Sequence, residues 1–135
     1  MTDDARVTRL IAMLDDLDAD VDETIDLADE IAATGDRGHL PRLTAELDRA
    51  VADRNSYARE LLGGLIAGLG GTEQLPVLVR ASAVDLGDDQ DGLATEIVDL
   101  VQADPKTAQR LLGPLTEDDD LSVANRADWA LRFVP

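Results

Sequence analysis

The chain has 135 residues, with 29 acidic against 12 basic side chains and a net charge of −17 at pH 7. It contains no cysteine, and its only aromatic residues are Tyr57, Trp129 and Phe133. The length is that of one domain. The absence of thiols excludes disulfides, cysteine-ligated zinc and a thiol nucleophile. The acidity disfavours binding to nucleic acid, which needs clustered Lys and Arg, and to anionic membrane surfaces.

Neither a leader nor a membrane anchor is predicted. The first residues lack a basic stretch followed by an apolar one, the pattern of a secretory signal. No apolar run approaches the roughly 20 residues that cross a bilayer. We therefore expect a cytoplasmic protein. Hydrophobic residues make up 44% of the chain, and their regular spacing predicts a folded core despite the high charge.

Apolar residues recur at intervals of three and four along almost the whole chain, which is typical of amphipathic helices. No segment alternates with period two, so an all-α fold of eight short helices is predicted. Gly63, Gly64 and Gly68 are costly inside a helix and predict the close approach of a neighbouring helix. The apolar stripes of the eight helices lie at 7–17, 25–31, 40–51, 58–69, 75–83, 93–101, 104–115 and 123–134.

The predicted helices repeat in pairs. Leu40-Pro41-x-Leu43 returns as Leu75-Pro76-x-Leu78, and the helix end at 31–36 is similar to the one at 66–71. A period of this length is typical of stacked helical hairpins. We predict a single domain, 1–135, of four hairpins at roughly 1–36, 37–71, 72–103 and 104–135. A compact orthogonal helix bundle is the alternative.

The last predicted helix, at 120–134, resembles the second helix of a HEAT repeat of the armadillo-like α-solenoid family. An Asp turn precedes its apolar positions, and Ala124 stands where the family has Arg; the second hairpin keeps that residue as Arg59. The resemblance covers residues 38–135 best and 1–37 by architecture only. It implies a short right-handed α-solenoid that binds another macromolecule, and it implies no reaction. The matching positions of the last helix are Val123, Ala127, Ala130, Leu131 and Val134.

Candidate catalytic and metal-binding residues are few. His39 is the only histidine, and we expect it at the surface or at a helix cap rather than in a Ser-His-Asp site. One imidazole without thiols disfavours a zinc or iron centre. The alternating acids at 16–22 lack the glycine of a calcium-binding EF-hand loop. We therefore expect no enzymatic activity, no cofactor and no metal site.

The acidic residues collect in the turns between the two helices of a hairpin, most densely in the first, third and fourth hairpins. Stacked hairpins would place these turns along one edge. The pattern predicts an acidic edge that binds a basic protein surface. The alternatives are that the acids cap helices, keep the protein soluble or adapt it to salt. The candidate partner-binding acids are Asp15, Asp16, Asp18, Asp20, Asp85, Asp88, Asp89, Asp91, Asp118, Asp119 and Asp120.

Trp129 and Phe133 are spaced i and i+4, on a stripe beside the core positions of the last helix. They either fold back onto the preceding hairpin or form an aromatic anchor for a partner or a second copy. The favoured function is non-enzymatic protein binding, for example by an immunity or inhibitor protein of a basic toxin or effector. The alternative is an accessory or scaffold subunit that assembles through its C-terminal aromatic face, with acidity serving solubility or salt adaptation.

Overall fold

The computed structural model describes residues 2–87 and 92–135, of which 78% are helical and none lies in a strand. The prediction of an all-α fold is therefore confirmed. The eight α-helical segments are α1 (Asp3–Leu14), α2 (Val21–Thr34), α3 (Leu40–Ala52), α4 (Ser56–Gly70), α5 (Leu75–Ser82), α6 (Ala94–Ala103), α7 (Pro105–Leu112) and α8 (Leu121–Leu131).

The predicted count of eight separate helices is wrong for the described residues, which form seven. Segments α4 and α5 belong to one unbroken helical stretch, joined by the 3-10 turn Gly71–Gln74. Gly71 has a φ of +68° and bends the chain there. Its ψ of −156° is also non-helical, so α4 ends at the glycine pair, and the 3-10 turn carries the chain into α5 without a loop.

Capping side chains explain where five of the α-helices begin. Each accepts a hydrogen bond from a backbone N–H group in the first turn of the helix that follows it. Such a cap stabilises a helix by about 1 kcal/mol. The caps of α1, α2, α4, α7 and α8 are, in order, Thr2, Asp20, Asn55, Asp104 and Asp120.

Helix pairs pack both within and between the predicted hairpins. Segment α1 contacts α2, α3 contacts α4, α5 contacts α6, and α7 contacts α8. The second helix of each pair also packs on that of the next pair, so that α2, α4, α6 and α8 follow one another. Segments α3, α5 and α7 do the same. A single cluster of buried apolar side chains, from Val7 in α1 to Ala130 in α8, lies between these two rows of helices.

The joined stretch Ser56–Ser82 corrects the expectation that no segment is long and apolar enough to cross a bilayer. At 27 residues and a mean hydropathy of 1.2 in its most apolar window, it is long and apolar enough to span a bilayer by those two measures. Half of that window is buried inside the fold. Since a core helix passes the same test, length and composition are weak evidence for a membrane span.

Candidate functional site

The turns within the four hairpins lie side by side along one edge of the molecule. We call this surface the turn edge; its described residues are 15–20, 53–55, 83–87, 92–93 and 113–120. Three arginines tie each hairpin to the next at this edge. Their contacts are Arg49 Nη2 to Asp15 Oδ2 at 2.8 Å, Arg54 Nη2 to the Asp85 carbonyl at 3.3 Å, and Arg80 Nη2 to Asp118 Oδ2 at 2.8 Å.

The contacts of Arg49 and Arg80 stabilise the charged forms of the paired groups, which raises the pKa of Arg49 and lowers that of Asp118. Hydrogen bonds from Arg49 to Asp15 and then to Glu46 raise the pKa of the Arg49 guanidinium. The pKa of Asp118 is lowered, first by a hydrogen bond from the Asp120 backbone N–H and second by the Arg80 guanidinium. These ion pairs join neighbouring turns. Arg49, Asp15 and Arg80 are about half exposed and Asp118 is 18% exposed, and ion pairs at the surface stabilise a fold only weakly.

Replacing Arg80 with Gln should raise the pKa of Asp118 towards the ordinary value for aspartate. Because the folded pKa lies below the unfolded one, ionised Asp118 contributes stability above the unfolded pKa of about 3.9, which is lost as pH falls through the folded pKa. The titration of the Asp118 carboxyl, followed by NMR in both proteins, checks this. An unchanged midpoint would mean that the Asp120 N–H alone lowers the pKa.

Most of the predicted partner-binding acids make a local contact. Asp15 and Asp118 pair with arginine, Asp20 and Asp120 cap helices, and Asp16 and Asp85 each accept a backbone N–H two residues ahead. The carboxylates of Asp18 and Asp119 are exposed, and neither accepts a hydrogen bond from, or forms an ion pair with, a described residue. Asp88, Asp89 and Asp91 lie outside the described residues. A capping carboxylate keeps its charge, so these local contacts leave the turn edge negative.

Exposed hydrophobic side chains lie on the same edge, a feature that sequence reasoning missed. In the described parts of the chain six large hydrophobic side chains are exposed, and all lie in these turns or in the first two turns of the helix that follows. Leu17 is fully exposed and Leu121 is 75% exposed. The six are Leu17, Val21, Ile25, Tyr57, Val84 and Leu121.

Two of these residues correct the sequence analysis, which assigned Leu17 and Ile25 to apolar core stripes. Segment α1 ends at Leu14, so Leu17 falls in the turn, where nothing covers it. Ile25 lies on the outer side of α2, whose buried residues are Thr24, Leu27, Ala28 and Ile31. Spacing alone could not distinguish these positions from core positions.

A hollow of about 280 Å³ lies at the first two turns of this edge. Its walls are mostly apolar, and Leu17, Val21 and Tyr57 contribute to them. Asp16 lies at its rim. A hollow with apolar walls and an acid at its rim suits a lysine or arginine side chain, whose apolar stem lies along the walls while its charged head reaches the acid. The lining residues are Met13, Leu14, Asp16, Leu17, Ala19, Val21, Thr24, Asn55 and Tyr57.

The buried guanidinium of Arg59 anchors the third turn of this edge. Arg59 is 2% exposed, and its Nη1 donates to the Val84 carbonyl at 2.9 Å. Its Nε and Nη2 donate to Oε1 of Glu60, whose Oε2 accepts the Leu93 backbone N–H at 3.0 Å. The sequence singled out Arg59 only as a family resemblance. Its contacts show that it connects α4 to both ends of the segment between α5 and α6.

Arg126, in α8, also holds this segment. Its Nη2 donates to the Gly92 carbonyl at 2.7 Å and its Nε to Ser82 Oγ at 3.1 Å. An open cleft of about 730 Å³ runs beside these residues. Arg59 and Arg126 both donate to backbone carbonyls at its walls, which gives each of them a structural role.

Trp129 and Phe133 pack back onto the fold. The Arg126 guanidinium lies over the Trp129 ring, 4.0 Å from its centroid. Phe133 meets Trp129 edge-on, with 5.1 Å between ring centroids. Both rings are partly buried against the core. The anchor role of this pair stays a prediction, with part of each ring already covered by the chain itself.

His39 is buried, so the expectation of a surface position is wrong; it occupies the N-cap position of α3, the alternative expected, although its side chain makes no capping hydrogen bond. It is 5% exposed, because the chain before α3 passes against the first turn of α1. Its Nδ1 lies 3.8 Å from Asp4 Oδ1, and its Nε2 lies 3.6 Å from Asp36 Oδ2. The Nε2 atom has no hydrogen-bond partner among the described residues.

Comparisons with known proteins identify no related family, protein or structure. A scan against protein-family models found no match, and searches of curated proteins and of solved structures found none either. The HEAT resemblance therefore stays a prediction that rests on the residues quoted for it.

Proposed function

We propose that this protein is a non-enzymatic binding module whose turn edge binds a basic surface of another protein. One observation carries the proposal: the exposed large hydrophobic side chains of the described residues lie in the acidic turns, as Leu17 and Val84 do, or in the first two turns of the helix that follows. Exposed apolar patches that are rimmed by polar residues mark interaction sites.

The two kinds of side chain have different roles in such a complex. Leu17, Tyr57 and Leu121 supply apolar area, and burying one such side chain contributes about 1.5–3 kcal/mol. The acids raise the association rate with a basic partner and exclude acidic ones. They also oppose pairing of this edge with itself, since two copies would bring like charges together. The partner is therefore a different protein, such as a basic effector that this module inhibits.

We propose further that the hairpins form a short, HEAT-like α-solenoid that acts in the cytoplasm. The support is the packing of α2, α4, α6 and α8 in one row and of α3, α5 and α7 in another. Solenoids bind through surfaces that run across several repeats. The turn edge is such a surface, because it takes residues from all four hairpins.

Leu17→Ser combined with Leu121→Ser should weaken capture of the natural partner by at least about tenfold, since each loss removes buried apolar area worth more than about 1.4 kcal/mol. Both side chains are exposed, so the fold should keep its stability. The measurement is affinity capture from cell lysate with wild type and variant, followed by quantitative mass spectrometry and direct affinity measurement on the captured protein.

Two double variants that remove the same number of acidic charges test whether the acids of the turn edge contribute to association with the partner. Asp18→Asn with Asp119→Asn changes two exposed acids of the turn edge. Asp29→Asn with Asp99→Asn changes two exposed acids in the later parts of α2 and α6. Only the first pair should slow association, and added salt should reduce the difference. Equal effects of both pairs, or capture that survives loss of Leu17 and Leu121, would contradict the proposal.

A further inference from the structure

Three metal-binding side chains meet at the end of the molecule opposite the turn edge. Asp3 opens α1, Asp36 follows α2, and His39 precedes α3. One ligand atom from each lies within 4.8 Å of the others. The turn between α2 and α3 therefore brings two carboxylates to the one imidazole of the chain, a juxtaposition that the sequence does not reveal.

The buried imidazole of His39 is the feature that indicates a ligand site here, because acidic residues alone do not. The His39 side chain is 6% exposed, and its buried Nε2 has no hydrogen-bond partner among the described residues. A buried polar atom without a partner costs about 1–3 kcal/mol, and such atoms in native proteins call for an explanation. Nε2 lies 3.6 Å from Asp36 Oδ2, too far for a hydrogen bond.

We propose that Asp3, Asp36 and Nε2 of His39 bind one divalent transition-metal ion of the Zn²⁺ class. Two ligands on a tetrahedral ion with bonds of about 2.0–2.1 Å lie roughly 3.4 Å apart, and the 3.6 Å between Nε2 and Asp36 Oδ2 is close to this. An imidazole ligand favours Zn²⁺ and its neighbours over Mg²⁺ and Ca²⁺, which prefer oxygen. Water supplies the remaining ligand, since the Asp36 side chain is half exposed.

The surroundings of the ring fit this assignment. A histidine that binds metal through one nitrogen commonly directs the other N–H towards a carboxylate. Oδ1 of Asp4 faces Nδ1 of His39 at 3.8 Å, on the side of the ring away from Asp36. Asp4 is thus the carboxylate that faces this nitrogen, at a distance longer than a hydrogen bond.

Arg6 is the group that opposes a cation here. Its Nη1 donates to Asp3 Oδ1 at 2.8 Å, and its Nε lies 3.6 Å from Glu30. A carboxylate has two oxygens, so this ion pair does not use up Asp3. The charges of Asp3 and Asp36 equal that of a dication, and Glu30 also offsets Arg6. The inference does not depend on the proposed function, because it concerns the opposite end of the molecule.

Titration of Co²⁺ into tag-free, metal-stripped protein should give visible absorption bands that saturate at one ion per chain and disappear when Zn²⁺ is added. Asp36→Asn should weaken binding at least tenfold, and His39→Gln should abolish the bands. Asp16→Asn is the matched control, because Asp16 also accepts the backbone N–H two residues ahead. It should bind Co²⁺ like wild type. The melting temperature without metal shows that each variant is folded.

Other outcomes overturn the proposal. Equal affinity in wild type, Asp36→Asn and Asp16→Asn would show diffuse attraction of cations to an acidic protein. Equal competition by Mg²⁺ and Zn²⁺ would show the same. If His39→Gln fails to fold, Asp3→Asn replaces it, and unchanged binding by that variant contradicts the assigned ligand set. Absence of Co²⁺ bands in folded wild type rejects the site outright.

Discussion

Replacing Arg59 with Met should lower the free energy of unfolding by about 3 kcal/mol, a large part of the stability of a domain this size. Met fills much of the space of the arginine stem but provides no donor. The Val84 carbonyl and the Glu60 carboxylate, which now accept from the guanidinium, would lose it. Glu60 is partly exposed, which keeps the loss at the lower end of the range for a broken buried ion pair.

Arg110→Met is the matched control for this prediction. Arg110 forms an ion pair with Glu73 at 3.3 Å, with both side chains more than half exposed. Its loss should cost less than about 1 kcal/mol. Urea unfolding of the three proteins, followed by circular dichroism, gives the comparison. Similar losses in both variants would mean that Arg59 acts as one more surface charge and does not hold the third turn.

The helical part of the fold followed from local pattern. Apolar residues at intervals of three and four predict amphipathic helices whatever their tertiary partners, and Asp104 before Pro105 marks a helix start by local chemistry. The joining of α4 to α5 did not follow. It depends on whether the residues after Gly71 leave the helical conformation, and their sequence does not decide this.

The sequence predicted a site correctly only where all of its residues lie in one turn. The four consecutive acids at 117–120 predict an acidic turn without any knowledge of tertiary contacts. Leu17, by contrast, has the spacing of a core residue and is exposed because α1 ends three residues earlier. His39 is buried by the first turn of α1, which is remote in sequence. Both errors arise from tertiary contacts or helix ends, which hydrophobic periodicity does not contain.

Gly63→Ala should lower the free energy of unfolding by up to about 2 kcal/mol. A Cβ at Gly63 would lie 2.4 Å from Leu93 Cδ2 and 2.7 Å from Cδ1. Leu93 has no cheap way to move, because it is 1% exposed, has a φ of +60° and donates its N–H to Glu60. Overpacking a core in this way costs about 1–3 kcal/mol, against about 1 kcal/mol that alanine contributes to a helix.

Gly68→Ala, in the same helix, should have the opposite sign. No atom lies within 4 Å of a Cβ built there, so only the helix propensity of alanine acts, and stability should rise by about 1 kcal/mol. Of the three glycines for which a close approach was predicted, Gly63 meets Leu93, Gly64 has only Glu96 Oε1 at 3.9 Å, and Gly68 has no neighbour within 4 Å, so the prediction is wrong at Gly68. Urea unfolding of both variants measures the difference. A loss of stability in both would mean that α4 needs glycine flexibility as such, whereas a gain in both would mean that Leu93 repacks freely and that the contact between α4 and α6 is loose.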